Sequence, residues 1–430
     1  MNVTGWSWFE TPRSGGPWLR RLREAARERF EELGWPTTRL EEWKYTSVAA
    51  LARTRFERAP EIPAGAAAER LAGRALADVD APRIVLVNGR RAAGIPAAGG
   101  LEGIQVGSLA TAVEAEPEAV QPYLARCARY AQHALVALNT ACFEDGVVVR
   151  IPRGRAVETP LYVLHVTAAE GGPAAWHPRT LVVAGRDSRA RIIEGYLGLN
   201  GEVSFTNAVT EAVLEEGAVL DYTKLEAEGE AAFHFGALHV RQARASSFAS
   251  HSISLGGRLV RHEIGVALEG EGAEATLNGL YLAGGQRHVD NYTTLDHAQP
   301  HCPSRELYKG VLGGKAHAVF HGRILVRQEA QKTDAIQRNK NLLLSADAVI
   351  DTKPQLEIYA DDVRCTHGAT VGQVDAEAVF YLRSRGIARE EARGLLTLAF
   401  ASEMIERVAW ERLRERLREV VRDRLRAGRL

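Results

Sequence analysis

A thiol and an imidazole lie two residues apart near the end of the chain. They are Cys365 and His367, in the stretch YADDVRCTHGATVG at 359–372. If 356–369 forms a strand, the two side chains project from one face, about 6.6 Å apart, and Thr366 projects from the other. A thiolate and an imidazole can both bind iron, copper or zinc. Because an iron–sulfur cluster usually takes four ligands, a cluster site here requires further ligands from a second surface.

The same stretch also fits functions without a metal. Cys365 is then a small buried hydrophobic residue and His367 a turn residue, as in a homodimeric storage or interaction protein. Alternatively, Asp361 and Asp362 are the catalytic acids of a β-helix enzyme that acts on carbohydrate. Neighbouring residues on a strand face opposite sides, so these two acids would not flank one glycosidic bond as that chemistry requires.

Histidine is concentrated in the region that leads to this stretch. Six of the 13 histidines fall there, namely His288, His297, His301, His317, His321 and His367. On a helix, His317 and His321 would share one face, as in zinc proteases. The apolar residues around them predict a strand instead, along which a four-residue separation is about 13 Å. We therefore expect structural or hydrogen-bonding roles for these two side chains.

The composition is that of a soluble globular protein. Of the 430 residues, 46% are hydrophobic and 25% are charged, and Lys plus Arg and Asp plus Glu both total 54. This balance predicts no bulk attraction to nucleic acid or to an anionic membrane. The N-terminus has no secretory signal pattern, and no apolar run approaches the roughly 20 residues that span a bilayer. The cytoplasm is the expected location.

The cysteines and glycines exclude several self-contained sites. None of the four cysteines, Cys127, Cys142, Cys302 and Cys365, forms a Cys-x-x-Cys pair. A disulfide framework, a zinc finger and a ferredoxin-like cluster site are therefore not expected. The chain also lacks the Gly-x-x-x-x-Gly-Lys-Ser/Thr and Gly-x-Gly-x-x-Gly phosphate loops and a Gly-x-Ser-x-Gly nucleophile turn. We expect no nucleotide bound by this chain itself.

Helical patterns at both ends flank a long strand-rich middle. An amphipathic helix is predicted over 17–33, with a stripe at Trp18, Leu22, Ala25, Ala26, Arg29 and Leu33. Residues 81–91 predict a strand that ends at an Asn-Gly turn, and 110–139 return to a helical pattern. Helices reappear from 376, and the last carries an apolar stripe that must pack, at Leu413, Leu417, Val421 and Leu425.

From about residue 145, short runs of Val, Ile, Leu, Phe and Thr closed by Gly or Asn follow one another without a convincing helix. Their number predicts a barrel, a propeller or a solenoid, and no strict repeat decides among these folds. We expect a mainly β protein with flanking helices. Its predicted domains are a mainly helical N-terminal domain at 1–135, a β core at 136–375 and a helical C-terminal domain at 376–430.

Three segments resemble one protein family. The longest, at 329–387, includes Cys365 and His367; the others are PTTRLEEWKYTSV at 36–48 and LNTACFEDGVVVRIPRG at 138–154. The longest closely resembles the SufB/SufD family of iron–sulfur assembly scaffolds, and the segment at 138–154 also resembles that family. The segment at 36–48 resembles the one that marks the SufD branch. The sequence has His-Gly-Ala-Thr from His367 where the SufB branch has His-Glu-Ala-Thr. Apart from Cys365 itself, only Cys302 lies in the strand-rich region that begins near residue 145, where the SufB branch carries additional cysteines. Both departures favour the SufD branch.

The resemblance implies a fold and a set of partners. It implies a right-handed parallel β-helix core between helical N-terminal and C-terminal domains. A protein of this branch is a non-enzymatic scaffold that pairs with SufB through the β-helix and binds the SufC ATPase through its C-terminal helices. In isolation such a chain can form a homodimer. A role in iron acquisition is also implied.

The resemblance further implies a shared site for the cargo. His367 matches the family histidine that works with a SufB cysteine at the SufB–SufD interface, where the nascent cluster or its iron is held transiently. Cys365 occupies the neighbouring motif position and is implied as an auxiliary ligand. Thr366 and Gly368 complete the motif. The candidate site would thus be one half of a site that two chains form together.

Overall fold

Helices lie at both ends of the chain and strands fill its middle. The computed structural model describes residues 12, 15–59, 71, 74, 76–91, 101, 103–169, 171–199, 201 and 203–428. The helices are α1 (Pro17–Leu33), α2 (Ala49–Arg53), α3 (Leu109–Ala115), α4 (Pro117–Val120), α5 (Ala134–Cys142), α6 (Ala376–Ser384), α7 (Arg389–Ile405) and α8 (Glu411–Arg426). Across this part of the chain, no helix is long and apolar enough to cross a membrane.

The strands run in sequence from β1 to β21. They are β1 (Glu57–Arg58), β2 (Arg83–Val87), β3 (Arg90–Arg91), β4 (Gln105–Ser108), β5 (Gly146–Ile151), β6 (Leu161–Thr167), β7 (Ala174–Trp176), β8 (Arg179–Ala184), β9 (Arg189–Gly198), β10 (Ser204–Leu214), β11 (Val219–Ala227), β12 (Phe233–Gln242), β13 (Ser247–Ser254), β14 (Leu259–Leu268), β15 (Glu274–Ala283), β16 (His288–His297), β17 (Pro303–Leu312), β18 (His317–Val326), β19 (Asp334–Leu343), β20 (Val349–Ile358) and β21 (Arg364–Gln373). The predicted strand at 81–91 is confirmed as the hairpin of β2 and β3, with Asn88 and Gly89 at its turn.

The strand-rich middle folds into a parallel β-helix of about eight turns. From β8 onward, each strand pairs in parallel with the strand two further along the chain, so consecutive strands alternate between two sheets. Sheet A ends at β20 and sheet B ends at β21. The predicted mainly β fold, with a parallel β-helix core and helices at both ends, is confirmed. Of the three folds left open by the strand pattern, the solenoid is the correct one.

One left-handed residue marks the same corner of successive coils. These residues are Asp187, Gly217, Ala245, Gly272, His301 and Lys332. Each donates its N–H to a carbonyl of the next coil, as His301 does to Gln331 (2.9 Å). The corner is therefore repeated in the backbone although five residue types occupy it, which explains why the sequence shows no strict repeat.

Alternate side chains of each strand face either the lumen of the β-helix or its outside. The lumen is filled by residues such as Leu277 and Phe320. Helices α1 and α5 cover part of the outer face of sheet A, whereas α7 and α8 cover the outer face of sheet B, where Met404 packs near Leu280. Strands covered on both faces read as continuous apolar runs, as do the runs of Val, Ile, Leu, Phe and Thr that begin near residue 145.

Helix α1 confirms its predicted bounds but buries a different face. Its buried side chains are Leu19, Arg23, Ala26 and Phe30. The predicted stripe through Trp18 and Leu33 is wrong by about one position, because the charged side chain of Arg23 is buried. The Arg23 guanidinium donates a hydrogen bond to the carbonyl oxygen of Phe143 (2.8 Å) and lies over its ring. A paired arginine with an apolar stem can fill such a position.

The other predicted helices are present. The pattern at 110–139 corresponds to the three short helices α3, α4 and α5 with turns between them. Helix α6 ends before Gly386, which has φ 90°, and α8 buries the predicted stripe at Leu413, Leu417 and Val421. Helix α7 is tied to β17 through Lys309, whose ammonium pairs with the Glu403 carboxylate. The domain boundaries near 135 and 375 stay predictions.

Candidate functional site at the open end of the β-helix

The last coil of the β-helix is uncovered. Strands β20 and β21 are the final strands of the two sheets, and within the described residues no strand pairs with their outer edges. Every residue of these two strands is half-buried or exposed, whereas most residues of the preceding strands are buried. We term this surface, 349–373, the open end.

The predicted continuous strand over 356–369 is wrong. Strand β20 ends at Ile358, and the chain bends at Asp361 and Asp362 before β21 begins. The strand is interrupted because each coil of the β-helix must turn a corner at this point. Lys332 is the left-handed residue at the same corner of the previous coil. It donates its N–H to the Asp362 carbonyl (2.7 Å), and its ammonium pairs with the Asp362 carboxylate. This acid has a structural contact, so the carbohydrate-enzyme hypothesis finds no support here.

The four predicted site residues, Cys365, Thr366, His367 and Gly368, all lie on β21. Cys365 is in register with Ala335 of β19 and His367 with Gln337. Ala335 and Gln337 are buried and belong to the lumen-facing row of β19, so both site side chains continue that row into the uncovered coil. Thr366 projects from the opposite face.

Cys365 and His367 differ in their surroundings. Cys365 is half-buried and packs against the lumen core. Burial raises the pKa of its thiol, only partly offset by a backbone hydrogen bond from Ala335. His367 is exposed, and on the opposite face of β21 a Cβ atom on Gly368 would meet nothing within 4 Å. The open end therefore presents a protonated thiol at the core boundary and a freely accessible imidazole further along the strand.

The open end also exposes apolar side chains. Val371, on the lumen-facing row with His367, is 49% exposed, and Ile358 at the end of β20 is 40% exposed. Val349 and Tyr359 are exposed as well. Asn341 and Val326, which are in register with Val371 and Ile358 in the preceding coil, are buried. The open end therefore exposes apolar surface of the kind that marks a contact with another protein.

The two strand edges differ in what they offer a partner. In a parallel strand, alternate residues bond to the two sides. Because Arg364 donates its N–H to Thr333, the odd-numbered residues of β21, including His367 and Ala369, direct their N–H and C=O groups to the free edge. By the same alternation, Val349 bonds to β18 and the even-numbered residues of β20 face outward. One of them is Pro354, which has no N–H to donate.

The histidines before the open end have structural contacts. His317 and His321 lie on β18, as predicted. His317 Nε2 is 2.7 Å from the Asp351 carboxylate, and His321 Nε2 is 3.2 Å from the Gln355 side-chain oxygen. These contacts join β18 to β20 on the outer face of sheet A. The two rings therefore act as predicted, in hydrogen bonding.

A metal site at the open end would be incomplete. In the part of the chain that the structure describes, no group of three or more His, Cys, Asp or Glu side chains is arranged to hold a metal ion. Cys365 and His367 offer at most two ligands, fewer than iron–sulfur clusters usually take. Metal chemistry here requires ligands from another molecule.

The sequence pattern does not reveal the polar row behind His367. Gln337 is in register with Glu306 of β17, and its Nε2 donates a hydrogen bond to that carboxyl group (2.6 Å). Burial raises the pKa of Glu306 to about 7, although the hydrogen bond from Gln337 opposes the shift. Only the register between coils aligns these residues with the site. Pro354 was visible in the sequence, but its orientation also depends on the register.

The fold and the open end define a parallel β-helix protein with helical ends and a cysteine and a histidine on one face of its last coil. Comparison with known families is more specific. Residues 165–400 match the family model described as SUF system FeS cluster assembly, SufBD core domain, and residues 13–163 match the SufBD protein N-terminal region. The chain belongs to the SufB/SufD family of iron–sulfur cluster assembly proteins.

Curated relatives agree with this assignment. The chain is 33% identical over 397 residues to the iron-sulfur cluster assembly protein SufD of Escherichia coli (strain K12), covering 92% of this chain and 90% of that protein. It is 32% identical over 409 residues to the SufBD family protein slr0076 of Synechocystis sp., covering 93% and 89%. Within its family the chain is SufD-like, as predicted, and a role in the Suf system of iron–sulfur cluster assembly follows.

Proposed function

We propose that this chain is a non-enzymatic scaffold subunit that assembles with SufB and the SufC ATPase. The open end would join SufB, and His367 would contribute to the site where the two chains hold the nascent cluster or its iron. The iron and sulfide are cargo and belong to neither chain permanently. The observation that carries this proposal is the uncovered last coil, which presents His367 and Cys365 on the lumen-facing row.

The edge of β21 supports pairing with SufB. Its outward N–H and C=O groups form a row that a strand of another β-helix can continue by main-chain hydrogen bonds. Val371 and Ile358 would be covered in the same contact. In isolation, a second copy of the chain would satisfy the same edge by a two-fold contact, which gives a homodimer.

The chemistry of the open end supports a shared cargo site. An exposed imidazole at His367 can ligate iron, and thiolates from SufB would supply the sulfur ligands that this chain lacks. Cys365 would serve as an auxiliary ligand that loses its proton on binding, because metal ligation requires the thiolate. Gly368 and Thr366 lie on the opposite face of β21, where a Cβ atom on Gly368 would meet nothing within 4 Å. Iron acquisition is the proposed contribution of this half-site.

The C-terminal helices support SufC docking within 376–430. Helix α6 buries no residue, and its Phe380 and Tyr381 are 72% and 58% exposed. Leu395 on α7 is also exposed. The same α7 is joined to β17 by the Lys309–Glu403 ion pair, so a movement imposed by ATP hydrolysis would be passed to the β-helix.

Coexpression with SufB and SufC tests the proposal. The expected result is one complex of the three proteins that carries iron and sulfide, measured by light scattering after gel filtration and by metal and sulfide analysis. His367→Ala should keep the complex but lose most cluster maturation. The matched control is His301→Asn, which removes another exposed imidazole at a corner whose positive φ asparagine tolerates.

The outcomes separate the parts of the proposal. Normal cluster maturation by His367→Ala would remove His367 from the cargo site and leave the assembly role intact. Absence of any complex with SufB would overturn the pairing at the open end. Loss of maturation in His301→Asn as well would show that the assay does not report on the site.

A further inference from the structure

A large cleft lies between the N-terminal part of the chain and the outer face of sheet A. Its volume is about 570 Å³, within the range of about 300–1,000 Å³ that is usual for small-molecule sites. One wall is formed by 33–43, at the end of α1 and beyond it, and the other by 126–135, which leads into α5. We term this space the sheet A cleft. The described residues that line it include none of the open end.

Two rows of side chains on the outer face of sheet A form the floor of the cleft. Each row is in register across β12, β14, β16 and β18. The first row is His239, Gly265, Thr294 and Arg323, and the second is Arg241, Ala267, Asp296 and Leu325. A Cβ atom on Gly265 would lie 2.9 Å from His239 Nδ1, so the ring of His239 lies beside that glycine. The second row is lowest at Ala267, which is half-buried between longer neighbours.

Arginine is the commonest residue type in the lining of the sheet A cleft. The five arginines are Arg126 and Arg129 on the wall and Arg241, Arg323 and Arg327 on the floor. Within the described part of the chain, no ion pair or hydrogen bond reaches the guanidinium of Arg126 or of Arg129, and both residues are exposed. The wall therefore offers two guanidinium groups that no other side chain occupies.

The floor arginines are held in place but keep unused donors. Arg241 donates from Nε to the Glu269 carboxylate (3.0 Å), and Arg327 donates from Nε and Nη2 to Asp296 (2.9 and 2.7 Å). A guanidinium has five N–H donors, so Arg241 retains both terminal nitrogens and Arg327 retains Nη1. These ion pairs fix the positions of the two groups and leave donors for a ligand.

The acidic residues of the lining are mostly neutralised. Glu269 and Asp296 are paired with the floor arginines. Glu263 is paired with His133 (2.6 Å), and this carboxylate raises the pKa of the imidazole. Glu42 is the remaining carboxylate of the described lining. The cleft therefore has an excess of positive charge, and a cation would find its carboxylates already taken.

Apolar side chains complete the walls. Leu33 and Leu40 are 36% and 49% exposed, and Pro36 lies between them in the chain. Leu325 adds an apolar surface to the floor. Ligand sites commonly combine apolar walls with a few polar groups that fix the orientation of the ligand. A molecule that fits this cleft would have a carbon skeleton as well as charged groups.

We propose that the sheet A cleft binds a small organic anion that carries two or more negative charges on carboxylate or phosphate groups. Arg126 and Arg129 would hold the anion from the wall, and Arg241 and Arg327 from the floor. The forked donors of arginine match carboxylate and phosphate alike. A single inorganic ion would fill only a small part of the volume and would contact one side of the cleft. This inference does not depend on the proposed function.

Calorimetric titration of the full chain with citrate and, separately, with glucose 6-phosphate tests the binding. Physiological salt screens weak attraction between exposed charges. We expect saturable binding of one anion per chain for at least one of the two compounds, and weaker binding of inorganic sulfate. The compound that binds more tightly shows whether carboxylate or phosphate is preferred. Binding of neither compound, or equal binding of sulfate, would overturn the proposal.

Two variants locate the site. Arg126→Gln combined with Arg129→Gln should weaken binding about tenfold or more, because charge-assisted hydrogen bonds are lost. Ala267→Leu raises the floor without a change of charge and should prevent binding. The control Arg153→Gln removes an exposed arginine outside the cleft and should bind as the unaltered chain does. Unchanged affinity in either cleft variant, or an equal loss in the control, would overturn the assignment of the site.

Discussion

His367 lies in register with Gln337, and Gln337 lies in register with Glu306, so one lumen-facing row runs from the buried core to the open end. Gln337 and Glu306 are buried and joined by a hydrogen bond, whereas His367 is exposed. The imidazole therefore occupies a place that belongs to the interior in every earlier coil. A chain that covers the open end would enclose it.

We expect Ala369→Pro to weaken assembly without loss of the fold. The N–H of Ala369 points to the free edge of β21, so proline removes no bond to β19 and takes one donor from a partner strand. The loss of one or two main-chain hydrogen bonds should reduce affinity for SufB about tenfold. Titration of the two purified proteins by calorimetry gives the measurement.

The reverse change on the other edge is the matched control. Pro354→Val restores an outward N–H on β20, so association should stay the same or become tighter. If Ala369→Pro binds SufB as well as the unaltered chain, the edge of β21 does not form the contact.

Cys365 should react slowly with alkylating reagents at neutral pH. Burial raises the pKa of its thiol, and the thiolate is the reactive form. As the pH is raised, the labelling rate should therefore continue to increase above about pH 8.5, the pKa of an ordinary cysteine thiol. Mass spectrometry after timed labelling identifies the site, and Cys365→Ser removes it. Cys142 and Cys302 are buried and should label later still. Fast labelling of Cys365 at pH 7 would show a thiol that is already activated.

The C-terminal helices allow stability and docking to be separated. Leu417 is completely buried between α8 and sheet B, so Leu417→Ala should lower the free energy of unfolding by about 2–5 kcal/mol. Phe380 is 72% exposed, and Phe380→Ala should change the free energy of unfolding by less than about 0.5 kcal/mol. Urea unfolding measures both. If SufC docks here, only Phe380→Ala should reduce SufC binding at unchanged stability; retained binding would place the docking surface elsewhere.

Glu306→Gln should stabilise the protein above neutral pH. The folded-state pKa of Glu306 is about 7, above its usual value of 4.5, so stability due to this carboxyl group is present below pH 4.5 and is lost as the pH rises to about 7. The glutamine amide does not ionise and carries no such penalty. Above pH 7, the free energy of unfolding of the variant should therefore exceed that of the unaltered chain by up to about 3 kcal/mol. Unfolding curves between pH 4 and 8 measure it, with the exposed Glu274→Gln as control. Parallel curves for Glu306→Gln and the unaltered chain would contradict the raised pKa.

Local features were readable from the sequence because they depend on neighbouring residues. The bounds of α1, the Asn88–Gly89 turn and the stripe of α8 follow from caps and periodicity over a few residues. The placement of Cys365 and His367 on one face follows from strand alternation alone. The family assignment rested on a long motif and is confirmed over almost the whole chain.

Features that depend on register were not readable. The bend at Asp361 and Asp362 arises because the coil must turn there, and its partner Lys332 belongs to the previous coil. Arg23 reads as a surface residue until Phe143 is placed beside it. Lys224 reads as an ordinary strand lysine, and only the pairing of β11 with β9 and β13 shows that it points into the lumen. Long-range placement decides each of these cases.

The uncovered coil also couples assembly to folding. In a stacked solenoid each coil is stabilised mainly by its nearest neighbours, so stability behaves as a sum of coil terms and coupling terms along one dimension. The last coil has a neighbour on one side, and a bound partner would act as the missing one. Substitutions that loosen the pairing of β19 with β21 would then weaken association at a distance from the contact itself. A bound partner would therefore order the terminal coil, as a further coil stacked on it would.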